Sequence, residues 1–178
     1  MNSDECVKFL SEIPNNLGRT RNGRDICNYP EYYPLPQFRN GIARVVRVID
    51  GDTYEMAGFR QGELVCDMTR VCKLTVRLLG VDTPEKLSTN ALEKQAGKAV
   101  SKLVTDFISG QVCEVIIIDN DKYAGRYLGR VNVLNGLALD NITGNLAQWL
   151  ISNRYALAYD GNTKVTFNKD NYAAELFI

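Results

Sequence analysis

Ile42–Met56 reads IARVVRVIDGDTYEM and is the segment most informative about the architecture. Runs rich in valine, isoleucine and other strand-forming residues flank Asp50-Gly51, a dipeptide typical of tight turns. This pattern predicts either two strands or one bent hairpin. The turn also holds two carboxylates, on Asp50 and Asp52, directly after an apolar strand, where stability alone does not require them. These carboxylates are the first indication of a functional site.

Three segments further along the chain have the composition of buried strands: Lys73–Val81, Cys113–Ile118 and Tyr127–Leu134. With the helices described next, the predicted order of elements is β-β-β-α-β-β-α. This order is typical of a five-stranded Greek-key barrel with two to three packed helices, an OB-fold architecture of the α+β class that is mainly β.

The clearest helix is predicted over residues 90–109. Asn90 followed by Glu93 is typical of a helix N-terminus, and Gly110 is typical of a helix end. Apolar residues recur at steps of three and four, which predicts one buried stripe made of Leu92, Ala96, Ala99, Leu103 and Phe107. A second helix, capped by Asp140, is predicted to bury Ile142, Leu146, Trp149 and Leu150. A short final helix is expected at Tyr172–Phe177.

The first 40 residues differ from the rest, so we divide the chain into an N-terminal extension (1–40) and one domain (41–178). Asp4–Ile13 is predicted to form a short helix, because its apolar residues recur at helical steps. Asn28–Phe38 (NYPEYYPLPQF) is predicted to be extended, since proline fixes φ and removes backbone donors. We expect this arm to cover apolar surface of the domain or to dock a protein partner.

The composition excludes several classes of function. The 178 residues include 21 Lys+Arg and 21 Asp+Glu, so the formal net charge is zero. This argues against binding of nucleic acid through bulk positive charge alone, so any such binding requires a local site. The sequence contains no histidine. This excludes Ser-His-Asp and Cys-His nucleophiles and zinc sites with histidine ligands.

The cysteines and the apolar pattern predict an intracellular protein, whether cytoplasmic, nuclear or associated with a virion. The five cysteines are odd in number, widely spaced and free of CxxC pairs, which favours reduced thiols over a disulfide framework. The N-terminus lacks the basic and apolar regions of a signal peptide. No apolar run approaches 18 residues, so we expect no membrane-spanning helix and no membrane partner.

Charged residues occur in or beside the strands of the predicted barrel, in a combination that indicates a phosphodiester site: Asp52, Arg77, Asp82, Glu85 and Arg126. Carboxylate and carbonyl oxygens suit a hard cation such as calcium or magnesium. A free carboxylate takes a proton from water and so supplies a nucleophile without histidine. Both arginines lack an evident structural partner in the sequence, and a guanidinium matches the oxygens of a phosphate. We therefore expect a phosphate to be that partner.

Four segments in this order resemble the staphylococcal nuclease (thermonuclease) family: VIDGDT at Val48–Thr53, VRLL at Val76–Leu79, VDTPE at Val81–Glu85 and KYAGR at Lys122–Arg126. The resemblance covers about residues 41–165 and includes AYDG at Ala158–Gly161. It implies an OB-fold barrel and an endonuclease that uses calcium to hydrolyse DNA, RNA or both, by attack of water on phosphorus.

The resemblance also implies which residues bind the metal ion. The carboxylates of Asp52 and Asp82 would ligate calcium, together with the backbone carbonyl of Thr83. Asp50 would lie close to the ion without contacting it.

The same resemblance assigns the remaining roles of a nuclease site. Glu85 would be the general base or would position the attacking water. Arg77 and Arg126 would bind the phosphate and stabilise its transition state. Tyr159 would flank the nucleotide, and Tyr123 is a second candidate for that position.

The alternative function is a non-catalytic OB-fold protein that binds nucleic acid or serves in assembly, for example as a virion component. Nuclease-like domains that have become scaffolds typically lose carboxylates or arginines of the site. All five charged candidates are present in this chain, which favours the enzyme.

Overall fold

The Asp50-Gly51 turn joins two antiparallel strands, so the hairpin interpretation is correct. In the computed structural model, which describes residues 7–8, 11, 40–59, 71–121, 125–134 and 144–178, Asp50 pairs with Thr53 across this turn. The strand register shifts twice along the hairpin, between Val45 and Arg47 and again before Asp50. Such irregularities bend a strand and allow a sheet to curl into a barrel.

The described residues contain strands β1 (Asn40–Asp50), β2 (Thr53–Phe59), β3 (Val71–Leu78), β4 (Val81–Asp82), β5 (Val112–Asn120), β6 (Tyr127–Val133) and β7 (Leu157–Ala158). Five of them form a closed barrel in the order β1-β2-β3-β6-β5, and β5 pairs with β1 to complete it. Only β3 and β6 are parallel among these barrel pairs. The short strands β4 and β7 pair antiparallel as a separate ribbon. The predicted fold class, a five-stranded OB-like barrel with packed helices, is confirmed.

Alternation along the strands fills the interior of the barrel. In β3 the side chains of Leu74, Val76 and Leu78 are buried, because alternate residues of a strand face the same side. Each such fully buried aliphatic side chain stabilises the fold by about 1.5–3 kcal/mol relative to leaving it in water. Tyr54 and Met56 of β2 follow the same period and complete this part of the core.

Helix α1 (Ala91–Ile108) begins and ends where the sequence predicts, but its buried face differs. The buried residues are Ala96, Gly97, Val100, Val104 and Ile108. Of the predicted stripe, Ala96 is buried and Ala99 and Phe107 pack against the core, but Leu92 and Leu103 are 45% and 36% exposed, so the prediction was wrong for these two leucines. The reason is Gly97: a Cβ there would lie 2.6 Å from the Pro84 carbonyl oxygen, so this helix face approaches backbone closely. Counting apolar residues does not reveal a face that includes glycine.

The N-terminus of α1 is capped through a relay. The Asn90 Oδ1 accepts hydrogen bonds from the backbone N–H groups of Leu92 and Glu93, at 3.0 and 3.3 Å. The Ser88 hydroxyl donates to Glu93 Oε2 at 2.6 Å and accepts from the Asn90 N–H at 3.1 Å. Ser88 thus connects Asn90 and Glu93, the two residues from which the sequence analysis predicted the start of this helix.

Helix α2 (Leu146–Ser152) starts later than predicted. Its cap is Asn145, whose side chain accepts from the Gln148 N–H at 3.1 Å, and not Asp140, which lies outside the described residues together with Ile142. Leu146 and Leu150 are buried as expected. Trp149 is half-buried and stacks on Phe107 with ring centroids 4.7 Å apart. The final predicted helix is a 3₁₀ turn at Ala174–Phe177, preceded by another at Lys169–Asn171.

The extension at residues 1–40 lies almost wholly outside the described residues, and so does the proline-rich arm. Val7, Lys8 and Ser11, which belong to the predicted Asp4–Ile13 helix, are helical. The domain boundary therefore stays a prediction. In the part of the chain that the structure describes, no helix combines the length and the apolar character needed to cross a membrane.

Candidate active site

Register within the barrel places Arg77 beside Asp52. Arg77 in β3 pairs with Thr53 in β2, the residue that follows Asp52. The Asp52 carbonyl accepts a hydrogen bond from the Leu78 N–H at 2.8 Å, which closes this corner of the barrel. Arg77 Nη1 lies 3.1 Å from both carboxylate oxygens of Asp52. The Thr53 hydroxyl also donates to Asp52 Oδ1, at 2.9 Å.

Arg77 contacts a second carboxylate because the chain turns directly after β3. Gly80 has φ +85, a left-handed conformation that favours glycine, and the chain then enters β4 with Asp82. Arg77 Nη2 lies 3.3 Å from Asp82 Oδ1. One guanidinium therefore joins Asp52 and Asp82, which are only 3% and 7% exposed. The sequence-based expectation that this arginine lacks a protein partner was wrong, because its two partners come from segments on either side of β3.

Burial and charge oppose each other at this cluster. Burial raises the pKa of Asp52, although the Arg77 guanidinium and the Thr53 hydroxyl favour its ionised form. For Arg77, burial lowers the pKa, but the charges of Asp52, Asp82, Asp121 and Glu85 outweigh it and the net shift is upward. Arg77 is therefore a permanent cation at the centre of a set of carboxylates.

Gly51 brings the β1–β2 turn against Thr83 and α1. A Cβ at Gly51 would lie 2.7 Å from Val100 Cγ1 and 2.9 Å from Thr83 Oγ1. Thr83 is buried in this contact, at 3% exposure. Asp50 Oδ1 accepts hydrogen bonds from the Gly51 N–H at 2.9 Å and from the Ser101 hydroxyl at 3.1 Å. Asp50 thus holds the turn on the helix, and the three predicted metal ligands Asp52, Asp82 and Thr83 come together.

Glu85 lies in the loop that packs on Gly97. Its side chain is 52% exposed, and Oε1 accepts a hydrogen bond from Lys164 Nζ at 2.8 Å. The same ammonium lies 3.2 Å from Asp82 Oδ2. Burial lowers the pKa of Lys164, but Glu85 and Asp82 outweigh it and raise the pKa overall. The sequence analysis missed Lys164, since it belongs to no motif and approaches the site only through folding.

Arg126 is ion-paired with Asp121, which lines the cleft described below, whereas Arg126 itself is not among the residues that line it. Its Nη2 lies 2.6 Å from Asp121 Oδ2, and the Asp121 N–H donates to the Arg126 carbonyl at 3.0 Å. This pair closes the loop between β5 and β6, so Arg126, like Arg77, has a protein partner that the sequence did not reveal. Tyr123, also a predicted site residue, lies outside the described residues. Asp121 precedes the KYAGR segment, and the sequence analysis did not identify it as a site residue.

A cleft of about 360 Å³ lies beside the cluster formed by Arg77 and its carboxylates. Its walls include Arg77, Asp82, Glu85, Asp121, Tyr159 and Lys164. Tyr159 is fixed by hydrogen bonds from its N–H to the Gly80 carbonyl at 3.0 Å and from its hydroxyl to the Asn162 carbonyl at 2.8 Å. The structure thus brings the predicted residues Arg77, Asp82, Glu85 and Tyr159 to one cleft, with Asp52 and Thr83 buried beside them.

The donor set fits a hard cation. Two buried carboxylates and a backbone carbonyl offer oxygen ligands, which calcium and magnesium prefer. A positive charge also offsets the cost of keeping the Asp52 carboxylate ionised where it is buried. Within the described ranges, no three or more Asp, Glu, Cys or His side chains gather as a metal cluster. The described residues therefore bring two buried carboxylate side chains, on Asp52 and Asp82, to one guanidinium.

Comparison with known proteins agrees with this geometry. A family profile described as "Staphylococcal nuclease homologue" matches residues 75–176. Proteins from Escherichia coli O157:H7 and Escherichia coli, each named "Uncharacterized endonuclease", are 27% identical over 117 residues. These alignments cover 66% of this chain and 60% of each relative. Because the profile match spans more than half of the sequence, the chain belongs to the family of staphylococcal nuclease homologues.

Proposed function

We propose that this chain is a calcium-dependent endonuclease that hydrolyses phosphodiester bonds of DNA, RNA or both by attack of water on phosphorus. One observation carries the proposal: a single guanidinium, Arg77, joins Asp52 and Asp82 in the wall of a cleft that also holds Glu85. The family match and the name of the Escherichia coli relatives support the same reaction class.

The charge of the cleft supports a role for a divalent cation. Four carboxylates line it, on Asp82, Glu85, Asp121 and Asp160, against the two cations Arg77 and Lys164. A phosphodiester is an anion and is repelled by such a surface unless a bound cation offsets the charge. Calcium held by Asp52, Asp82 and the Thr83 carbonyl would supply that charge and polarise the phosphate.

The other side chains of the proposed site carry out proton transfer, phosphate binding and nucleotide binding. Glu85 is half-exposed and lies in the cleft, where its carboxylate can accept a proton from water as general base. Arg77 and Arg126 provide planar guanidinium groups that bridge two phosphate oxygens and stabilise the charge that develops in the transition state. Tyr159 directly follows β7, and its N–H donates to the Gly80 carbonyl. In this position its ring flanks the nucleotide.

A cleavage assay tests the proposal directly. The full chain is incubated with circular single-stranded DNA and with single-stranded RNA, in calcium, in magnesium or in a chelator. We expect cleavage in calcium and none in the chelator. Calcium should exceed magnesium, since calcium accepts six to eight oxygens in loose geometry at roughly 2.4 Å, whereas magnesium demands a tight octahedron.

Two results would count against the proposal. Equal rates with both metals would contradict the single-calcium site. Binding of DNA or RNA without cleavage in any of these ions would favour the non-catalytic alternative. Circular DNA separates endonuclease from exonuclease activity, because it has no ends.

A further inference from the structure

Lys164 contacts two carboxylates that belong to different parts of the proposed reaction. Its Nζ lies 2.8 Å from Glu85 Oε1 and 3.2 Å from Asp82 Oδ2. The side chain is 40% exposed, so it reaches the cleft from the solvent side. Asp82 is a proposed metal ligand and Glu85 the proposed general base.

The oxygens of Asp82 are divided between two cations. Oδ1 accepts a hydrogen bond from Arg77 at 3.3 Å, and Oδ2 lies against Lys164. Arg77 is held at the same time by Asp52, which leaves it little freedom to move away. A divalent cation that binds Asp82 therefore meets Lys164 first, and two cations on one carboxylate oxygen repel each other.

The backbone keeps Lys164 at this place. Asp160 accepts hydrogen bonds from the Asn162 N–H at 3.0 Å and from the Asn162 side-chain amide at 2.8 Å, which folds residues 160–162 into a tight turn. The Tyr159 N–H to Gly80 hydrogen bond anchors this turn beside β4. The lysine side chain is the flexible part of the arrangement, so it can leave Asp82 while the turn stays in place.

We propose that Lys164 is an internal cation that competes with the divalent metal ion for Asp82 and so weakens metal binding at this site. The proposal rests on the proposed metal-dependent function. When a metal ion binds Asp82, the Lys164 ammonium moves away from Oδ2 without a change of the fold. The affinity of the site for calcium is therefore lower than its two carboxylates would give on their own.

Calcium titration of the full chain, without nucleic acid, tests this inference. We compare the wild type with Lys164→Met, which keeps most of the length of the side chain and removes its charge. Isothermal titration with calcium chloride should show an affinity about tenfold higher for Lys164→Met, a coupling typical of interacting sites. In a chelator, Lys164→Met should melt at a lower temperature than the wild type, because Asp82 and Glu85 lose a counter-charge. Calcium should then raise its melting temperature by more than it raises that of the wild type.

Two variants serve as controls. Lys164→Arg keeps the charge and should bind calcium with nearly wild-type affinity. Lys102→Met removes a lysine that is ion-paired with Asp106 on α1, outside the cleft, and should leave calcium affinity unchanged. An equal gain in affinity for Lys102→Met would assign the effect to net charge and would overturn the inference.

The outcomes separate this inference from the proposed function. If Lys164→Met binds calcium no more tightly than a wild type that cleaves in calcium, the inference fails and the nuclease proposal stands. If neither protein binds calcium, the inference also fails. Cleavage in the chelator then decides whether the nuclease reaction depends on metal.

Discussion

At the scale of single residues, the site is built from side chains that restrain one another. Asp52 and Asp82 share Arg77, while Asp82 and Glu85 share Lys164. Of these groups, the Glu85 carboxylate is the most exposed, at 52%. It is therefore the one best able to exchange its lysine for a water molecule. The buried carboxylates suit metal binding, and the exposed one suits proton transfer.

Glu85→Gln should keep the fold and the binding of nucleic acid but lose most of the turnover. The amide has nearly the same shape and cannot accept the proton, and loss of a general base typically lowers the rate by about 10²–10⁴. The measurement is kcat on DNA and RNA, with the free energy of unfolding in urea as the check on folding. Glu114→Gln is the matched control, since Glu114 is exposed on β5 and lies outside the cleft. A near-normal kcat for Glu85→Gln would exclude Glu85 as the base.

Arg77→Lys should lower both activity and stability. A lysine ammonium cannot hold Asp52 and Asp82 at once in the geometry of a guanidinium, so one buried carboxylate loses its ion pair with residue 77. We expect kcat to fall about tenfold or more, which is about 1.4 kcal/mol of transition-state stabilisation. The midpoint of urea unfolding should fall as well. Unchanged stability would mean that the two ion pairs contribute little to the fold.

Arg126→Lys provides the comparison for Arg77→Lys. Arg126 Nη2 pairs with Asp121 Oδ2, and a lysine ammonium can keep this ion pair. Its effect on unfolding should therefore be the smaller of the two, although kcat should again fall about tenfold or more. A wild-type rate for Arg126→Lys would remove this arginine from the reaction.

At the scale of elements, α1 determines where the loop with Glu85 lies. The helix and the loop approach so closely at Gly97 that a Cβ there would lie 2.5 Å from the Lys86 nitrogen and 2.6 Å from the Pro84 carbonyl oxygen. These are backbone atoms, which cannot move aside as the end of a side chain does. The Lys86 ammonium also donates to the Ile49 carbonyl, so the loop is held on β1 as well as on α1.

Gly97→Ala should destabilise the protein and lower kcat. Alanine is favoured over glycine in a helix by about 1 kcal/mol, but the clash with backbone should cost about 1–3 kcal/mol or more and outweigh it. Because the loop must shift, Glu85 should move relative to Asp82 and kcat should fall with calcium affinity nearly unchanged. Urea unfolding and steady-state kinetics measure both effects. Gln95→Ala, at an exposed position of α1, is the control. A gain in stability for Gly97→Ala would show that the loop moves aside at little cost in free energy.

At the scale of the whole molecule, the closed barrel and α1 enclose one hydrophobic core. Cys113 lies in this core with no exposed surface, and burial raises the pKa of its thiol from 9.0 to about 12. The unfolded chain exposes the thiol and restores the lower value. Ionisation of Cys113 therefore reports on the folding of the entire domain.

Cys113 should react with a thiol reagent only when the protein unfolds. In a variant that keeps Cys113 as its single cysteine, we expect very slow reaction at pH 8 and fast reaction in urea. Between pH 9 and about 12, the unfolded thiol loses its proton while the folded thiol keeps it, so the contribution of Cys113 to stability falls as pH rises through this range. Rapid reaction in the absence of denaturant would show that the barrel opens locally at β5.

The sequence by itself determined the local features of this protein. The alternation in Leu74–Leu78, the turn at Asp50-Gly51 and the Asn90 cap follow from periods and hydrogen bonds within a few residues. The ordered motifs identified the family, which the profile match confirms. Local features of this kind can be predicted from the sequence, because the residues that interact are close together along the chain.

Only the tertiary structure decided which charged groups meet. Arg77 contacts Asp52 from a position 25 residues along the chain, and Lys164 contacts Glu85 from one 79 residues away. The buried face of α1 was also settled by packing, since Gly97 allows a backbone approach that hydrophobicity does not indicate. Long-range ion pairs and close backbone contacts depend on how the barrel closes. No periodic pattern in the sequence predicts them, because the partners lie far apart along the chain.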